Sequence, residues 1–184
     1  SDPRTLEVQI VTEEQEVLEK RAIFNRLIPE LQYLKDFGAH NTNSFIVETY
    51  GGVDGFKQML WHELKADKEV LVLGSGSIES LVESKRWSER HRANSVEANY
   101  KIREIINPGK KGADFTKNDD FIKQYTKKLI SPDVLLLNHQ IVIYNDTVAT
   151  YCWQNNKKIG VEIINKANAN MMRQMFETYW KIAE

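Results

Sequence analysis

The spacing of apolar positions changes character along the chain. From about Thr5 to Lys35, a segment rich in Glu, Leu, Lys and Arg, Ile10, Val17, Phe24 and Leu31 recur every seven positions, with Leu27 and Leu34 on the same seam. This predicts a long helix. Glu13 and Lys20 weaken the first half of the seam, and Pro29 predicts a bend or break near Ile28. Such a face suits either an amphipathic helix lying on its own domain or a helix pair between two chains, and the pairing is the expectation favoured for residues 1–38.

After the polar stretch Ala39 to Ser44 the period shortens. Phe45 to Tyr50 reads as a strand, Gly51-Gly52 as its end, and Val53 to Lys65 as a helix. Glu69 to Leu73 is a continuous apolar strand running into Gly74-Ser75-Gly76-Ser77, followed by a helix over Ser84 to Ala98 and a strand over Tyr100 to Ile106 that stops at Asn107-Pro108-Gly109. Lys110 to Lys128 is polar and basic, with a short helix expected over Asp119 to Lys127. Strands are expected at Val134 to Leu137, Gln140 to Tyr144, Thr147 to Trp153 and Ile159 to Ile164, with Asn145-Asp146 as a hairpin turn. A helix over Ala167 to Ile182 closes the pattern, its apolar face made by Met172, Met175, Phe176, Tyr179 and Trp180. The alternation predicts an α/β domain over residues 39–184, with a mixed, largely parallel central sheet flanked by helices and a long N-terminal helix before it.

Composition narrows the function classes. A chain of 184 residues suits one medium domain plus one extra element. A net charge of -1 and a pI near 6.4 supply no general attraction for a polyanion, so the fragment is not expected to bind nucleic acid by itself. The single cysteine, Cys152, excludes an internal disulfide and reads as a buried small hydrophobe. No apolar stretch is long enough to span a bilayer, the start is charged, and Asn145-Asp146-Thr147 reads as a turn rather than a used sequon, so the cytoplasm is the expected compartment. Ser1-Asp2-Pro3 opens almost directly into helical sequence, which suggests a cut inside a longer protein.

Few residues point to chemistry. His62-Glu63 begins like a helical zinc-hydrolase motif, but position 66 is Ala, so no metal or other cofactor is implied. Gly74, Ser75 and Gly76 after a buried strand could present backbone N–H groups to a ligand, although Glu79 stands where a dinucleotide fingerprint needs a third glycine. On the helix that follows, four-residue spacing puts Arg86 and Arg90 on one face and Trp87 and His91 on the adjacent one, suited to an anion or a sugar or simply to solvent. Arg103 would add to that site if it faced the same helix. Tyr50 and Gly74 each end a predicted strand, so a ligand crevice is expected where Tyr50, Gly74, Ser75, Gly76, Arg86, Trp87 and Arg90 converge.

The run Leu135 to Asp146 resembles the HxKxxxxD motif of the phospholipase D superfamily: His139 and Asp146 match, and Ile141 stands at the lysine. That resemblance implies a His nucleophile toward phosphorus and a Lys that neutralises phosphoryl oxygens, a role no alkyl side chain can fill. None of His40, His62 and His91 has a lysine two positions on, so a second motif is missing too. The fold is expected to be kept without the chemistry, with His139 left as a hydrogen-bonding remnant in the crevice.

In order and spacing the chain resembles the TrmB-like transcriptional regulators. The matching features are Asp2-Pro3 before a long helix, the Leu27-Ile28-Pro29-Glu30-Leu31 break, Tyr50-Gly51-Gly52, Gly74-Ser75-Gly76, Arg103, His139, and the Arg173, Phe176, Glu177, Trp180 ending. The resemblance implies a non-catalytic phospholipase-D-like effector domain with a helical dimerisation segment. Its expected partners are a small-molecule effector, a sugar or phosphorylated metabolite, and a second copy of the chain. DNA is reached only through a winged-helix domain absent from this sequence, and no membrane is involved. The alternatives are a phospholipase-D-like phosphodiesterase or nuclease, and a dimerisation scaffold with a vestigial pocket.

Overall fold

The computed structural model describes residues 45–74, 77–109, 116–154 and 157–184. The predicted helical arm lies outside them. Among the described residues, the strands are β1 (Ile46–Gly51), β2 (Glu69–Gly74), β3 (Lys101–Ile106), β4 (Tyr125–Leu129), β5 (Gln140–Tyr144), β6 (Thr147–Gln154) and β7 (Lys157–Ile164). The helices are α1 (Gly52–Glu63), α2 (Ile78–Val82), α3 (Lys85–Ala98), α4 (Asp119–Gln124) and α5 (Lys166–Ile182).

All seven strands form one mixed sheet in the order β1-β7-β6-β5-β2-β3-β4. Parallel pairing is confined to β2-β3 and β3-β4, while β1-β7, β7-β6, β6-β5 and β5-β2 are antiparallel. A mixed sheet flanked by helices is as the sequence predicts, but its parallel part is one side only. The reason is loop length: β5 and β6 are joined by the two residues Asn145 and Asp146, too few for a parallel crossover. Asn145 adopts φ 42°, and its side chain ties the turn to Asp67 N and Lys65 O.

Strand β2 shows why the molecule is layered. Val70 and Val72 bury against the face covered by α1, α2 and α3, whereas Leu71 and Leu73 bury against α5 on the other. A strand buried on both faces must be apolar at every position, which accounts for the unbroken run in the sequence. Phe56, Met59, Leu60, Leu81, Tyr144 and Tyr151 fill the first layer; Ile105, Ile143, Ala169 and Phe176 fill the second. On α5, Met172, Tyr179 and Trp180 join this core, whereas Met175, expected on the same apolar face, is exposed.

Three local expectations are corrected. Val134 to Leu137 is not a strand: Asn107 Nδ2 donates to Leu135 O and Ile130 O, and Leu137 N donates to Asn107 Oδ1, so a side chain takes the groups a ladder would use. The helix begun at Asp119 ends at Gln124, and Tyr125–Leu129 becomes edge strand β4, whose lysines hide the strand pattern. Cys152 is half-buried rather than buried, and its burial pushes the thiol pKa up.

Candidate functional site

Helix α3 buries a polar face. Ser88, His91, Arg92 and Ser95 recur at helical spacing and turn inward, while Lys85, Arg86 and Arg90 face solvent. The Ser84 side chain caps the helix at Trp87 N, and its carbonyl accepts from Ser88 Oγ at 2.8 Å. Ser95 Oγ donates to Arg92 O at 2.8 Å. Arg92, 1 % exposed, grips Glu79 with two N–H groups at 2.8 and 3.1 Å and meets Glu89 at 2.8 Å. Burial raises the Glu79 pKa, but the hydrogen bonds and charge of Arg92 outweigh it and hold the carboxyl below its ordinary value. The buried guanidinium is thus balanced by carboxylates on α2 and α3.

His91 is 4 % exposed, with its ring stacked on Trp87 at a centroid distance of 5.3 Å. Its Nε2 lies 2.8 Å from Leu60 O. A carbonyl only accepts, so Nε2 carries the hydrogen and Nδ1 is an acceptor. That Nδ1 is buried with no hydrogen-bond partner. Burial, opposed by the Leu60 bond and reinforced by the charge of Arg92, pulls the His91 pKa down to about 4, so the ring is neutral at pH 7.

Between α3 and the sheet lies a cavity of about 70 Å³. Its walls are Val70, Val72 and Ile102 from the strands, Leu60 and Glu63 from α1, Ile78 from α2, and Phe121 from α4. His91, Arg92, Ser95, Ser77, Tyr100, Glu104 and Gln140 complete it, so an apolar chamber carries polar groups at a few points. Glu63, 6 % exposed, accepts from the Tyr151 hydroxyl. Burial pushes its pKa up to about 8; the Tyr151 hydrogen bond opposes this and the charge of Glu162 adds to it. Glu104 accepts from Tyr125 on β4. Its Oε1 occupies the space a Cβ on Gly74 would need, 2.0 Å away, so the glycine after β2 makes room for this carboxylate.

Beyond Glu63 a second carboxylate sits between β-strand tyrosines. Glu162, 1 % exposed, accepts from Tyr144 at 2.8 Å and Tyr50 at 2.7 Å and meets His62 Nδ1 at 2.8 Å. Tyr50 also lies 2.5 Å from Glu48, which stands opposite Glu162 across the β1-β7 pair. One hydroxyl hydrogen cannot serve both carboxylates at once. Among the described residues, no cluster of three or more His, Cys, Asp or Glu is placed to hold a metal ion.

The predicted site residues do not converge on one crevice. Gly74 and His139 share one end of the sheet, because β2 pairs antiparallel with β5 and Gln140 begins β5. Tyr50 lies near the same end of β1 but four strand positions from β2, roughly 19 Å at the usual spacing, and joins the Glu162 group instead. Trp87 packs inward beside His91, whereas Arg86, Arg90 and His139 are exposed; Ser75 and Gly76 lie outside the described residues. Arg103 points to the opposite face, where Glu69 and Glu177 pair with it and the rings of Phe176 and Trp180 lie 5.3 Å from its guanidinium. Arg92, Ser95, Glu104 and Gln140 were not singled out from sequence, and Glu63 only within the incomplete His62-Glu63 motif. The available signal was the helical spacing of Ser88, Arg92 and Ser95.

Solved structures share the fold. The chain superposes on Nuc, a phospholipase D family member from Salmonella typhimurium, with a TM-score of 0.52 and 11 % identity, covering 76 % of this chain and 97 % of that one. NucT from Helicobacter pylori gives 0.53 and 10 %, covering 76 % and 98 %. The fold is phospholipase-D-like. TrmBL2, described as an archaeal chromatin protein with a novel mode of DNA binding, matches with a TM-score of 0.56 and 14 % identity over 100 % of this chain and 71 % of its own. No protein-family model and no curated protein matches the chain. Within this phospholipase-D-like domain, Ile141 packs beside the α5-side core. No described helix is long and apolar enough to cross a membrane.

Proposed function

We propose that the domain is the non-catalytic effector-binding part of a TrmB-like transcriptional regulator, with its effector seated in the cavity under α3. The observation that carries this reading is a helix whose polar inner face, with His91, Arg92 and Ser95, lines a cavity against the sheet. A structural helix of this length would ordinarily bury apolar side chains, because each buried polar group costs stability unless it is partnered. The fold is shared with TrmBL2, described as a DNA-binding chromatin protein, which supports a DNA-linked role, and Ile141 in place of a lysine supports loss of chemistry. Dimerisation through residues 1–38, DNA binding through a separate winged-helix domain, and a cytoplasmic location belong to the same proposal.

The test is a thermal-shift screen of sugars, phosphorylated metabolites and amines against the wild type and Ile102→Phe, whose ring fills the cavity. A compound at a hundred times its Kd adds about 2.7 kcal/mol to stability. The expected result is a shift in the wild type that vanishes in Ile102→Phe. Shifts of equal size in both proteins would remove the effector from this cavity.

The second reading, a phosphodiesterase, is favoured by the fold shared with Nuc and NucT and by His139 lying exposed beside the end of β2. It requires a lysine beside the histidine, and that position holds Ile141.

A further inference from the structure

We infer that strand β1 is a self-association edge, which pairs antiparallel with β1 of a second copy of the chain and continues the sheet across a two-fold axis at Val47. This stands apart from the effector reading and adds an interaction surface to it. The two edges of the sheet, β1 and β4, are built in opposite ways. On β4 stand Lys127 and Lys128, and the backbone of Leu129 is bonded in both directions to Glu184, at 2.6 and 2.9 Å. Lysines and a covering segment are ways in which a sheet keeps an edge from recruiting another strand. β1 has neither. Ile46–Gly51 pairs with β7 without a bulge and holds no lysine or proline, and among the described residues no further backbone bond reaches its outer side. Phe45, Ile46 and Val47 are 60, 38 and 53 % exposed there, an apolar edge without protection.

β1 is complementary to itself in one register. A two-fold axis perpendicular to the sheet keeps each face on its own side, so residues directly opposite share a face. Tyr50 meets Glu162 and His62 on the α1 side, which puts Ile46 and Glu48 on that side and Val47 and Thr49, with Phe45 before them, on the other. An axis at Glu48 would set two carboxylates directly opposite, which is destabilising. An axis at Ile46 pairs only residues 45–47. An axis at Val47 sets Val47 opposite the partner's Val47, Phe45 opposite the partner's Thr49 and Ile46 opposite the partner's Glu48. An aromatic ring then meets a β-branched side chain and no like charges face each other. Residues 45–49 of each copy pair in this register, through roughly four to six backbone hydrogen bonds.

The same geometry closes the assembly at two copies. Pairing β1 with β1 uses both unprotected edges, and the edges left outside are the two β4 strands with their lysines and Glu184. Residues 45–49 on each side are far fewer than the roughly 20 to 30 a side of a standard interface, so the contact is weak, with a Kd on the order of 100 μM.

Disulfide trapping in the intact chain tests the inference, in a Cys152→Ser background that leaves no other thiol. Val47→Cys should cross-link to its copy under mild oxidation, because directly opposite residues stand about 4.5 to 5.5 Å apart at Cα, within the span of a disulfide. Gly51→Cys, whose added Cβ meets open space, should not, since an axis at Val47 holds the two copies of position 51 roughly 26 Å apart along the strands. Sedimentation equilibrium supplies a second measurement. Phe45→Lys and Thr49→Glu should each weaken association, and the chain carrying both should associate roughly two- to thirtyfold more tightly than Phe45→Lys alone, through two opposite-charge pairs across the axis. Within one strand the two positions lie roughly 13 Å apart, so the rescue arises between copies. Positions 45, 47, 49 and 51 are all exposed, so the substitutions leave the core intact. No cross-link at Val47→Cys, equal cross-linking at positions 47 and 51, or a double variant no tighter than Phe45→Lys overturns the inference. A pair of chains held only through residues 1–38 shows no rescue in the double variant, so that dimer reading and this one fail separately.

Discussion

The hydroxyl of Tyr151 on β6 donates to Glu63 on α1, so a buried carboxyl and a buried phenol meet across the interface between sheet and helix. This pair makes stability depend on pH in a direction opposite to the usual carboxylate. Glu63 has its pKa raised to about 8, above the ordinary 4.5 of the unfolded chain, so between those values the folded protein binds the extra proton. Stability therefore falls as pH rises through that window, with a slope of up to about 1.4 kcal/mol per pH unit. Denaturant unfolding between pH 6.5 and 8 should show the decline. Glu63→Gln should flatten it, and an unchanged slope in that variant would assign the dependence to another group.

His91 works the other way below pH 6.5. Its folded pKa is lowered to about 4, so from 6.5 down to 4 the unfolded chain binds the extra proton and stability is lost as pH falls. In the range where both groups act, between 4.5 and 6.5, the two contributions oppose each other. A stability profile nearly flat there and declining only above about pH 6.5 is expected from these two groups. Nitrogen NMR should find the His91 ring in the Nε2–H form from pH 6 to 8. A ring that titrates near pH 6.5 would mean that it is neither buried nor bonded to Leu60 O.

Gly74 serves Glu104 more directly than any ligand. Alanine there would put its Cβ 2.0 Å from Glu104 Oε1, so the carboxylate must swing away and loosen its bond from Tyr125. Losing such a buried hydrogen bond costs about 1 to 3 kcal/mol, partly offset by the better strand propensity of alanine. Gly74→Ala should lower stability by about 1 kcal/mol or more. Adding Glu104→Gln, whose amide bears no charge to strand, should recover part of it. A fully stable Gly74→Ala protein would show that the carboxylate has another place to go.

Strands β2, β5 and β6, the Asn145-Asp146 turn and the closing helix were legible because apolar spacing is direct evidence of which faces are buried. β4 was not, since an edge strand such as Tyr125–Leu129 carries lysines without cost to any core. "Leu-Leu-Leu" at 135–137 misled for the converse reason: Leu135 and Leu137 do reach the core, but Asn107 takes their backbone groups and no ladder forms. The site was the least legible part. Hydropathy ranks Arg86, Arg90 and Arg92 alike, and only the serines at 88 and 95 on the same helical face mark Arg92 as the one turned inward. Placing Tyr50 beside Gly74 failed because strand order, unlike strand existence, depends on pairings distant in sequence.

Ile141 bears on the choice between sensor and enzyme. On β5 it alternates with Val142, so its side chain turns to the α5 side, where it packs beside Ile143, Leu73 and their neighbours, while His139 is exposed just before the strand. A lysine at this position would have to carry its charge along an apolar face, and its stem could reach solvent only at the sheet end. Ile141→Lys is therefore expected to lower stability by roughly 1 to 3 kcal/mol, the cost of placing a poorly partnered polar group in a partly buried apolar site. It is also expected to yield no hydrolysis of a generic phosphodiester such as bis(4-nitrophenyl) phosphate, because a second phosphoryl-stabilising motif is still missing from the sequence. Turnover by the wild type or by Ile141→Lys that disappears when His139→Ala is introduced would overturn the non-catalytic reading and place the reaction at the end of β5.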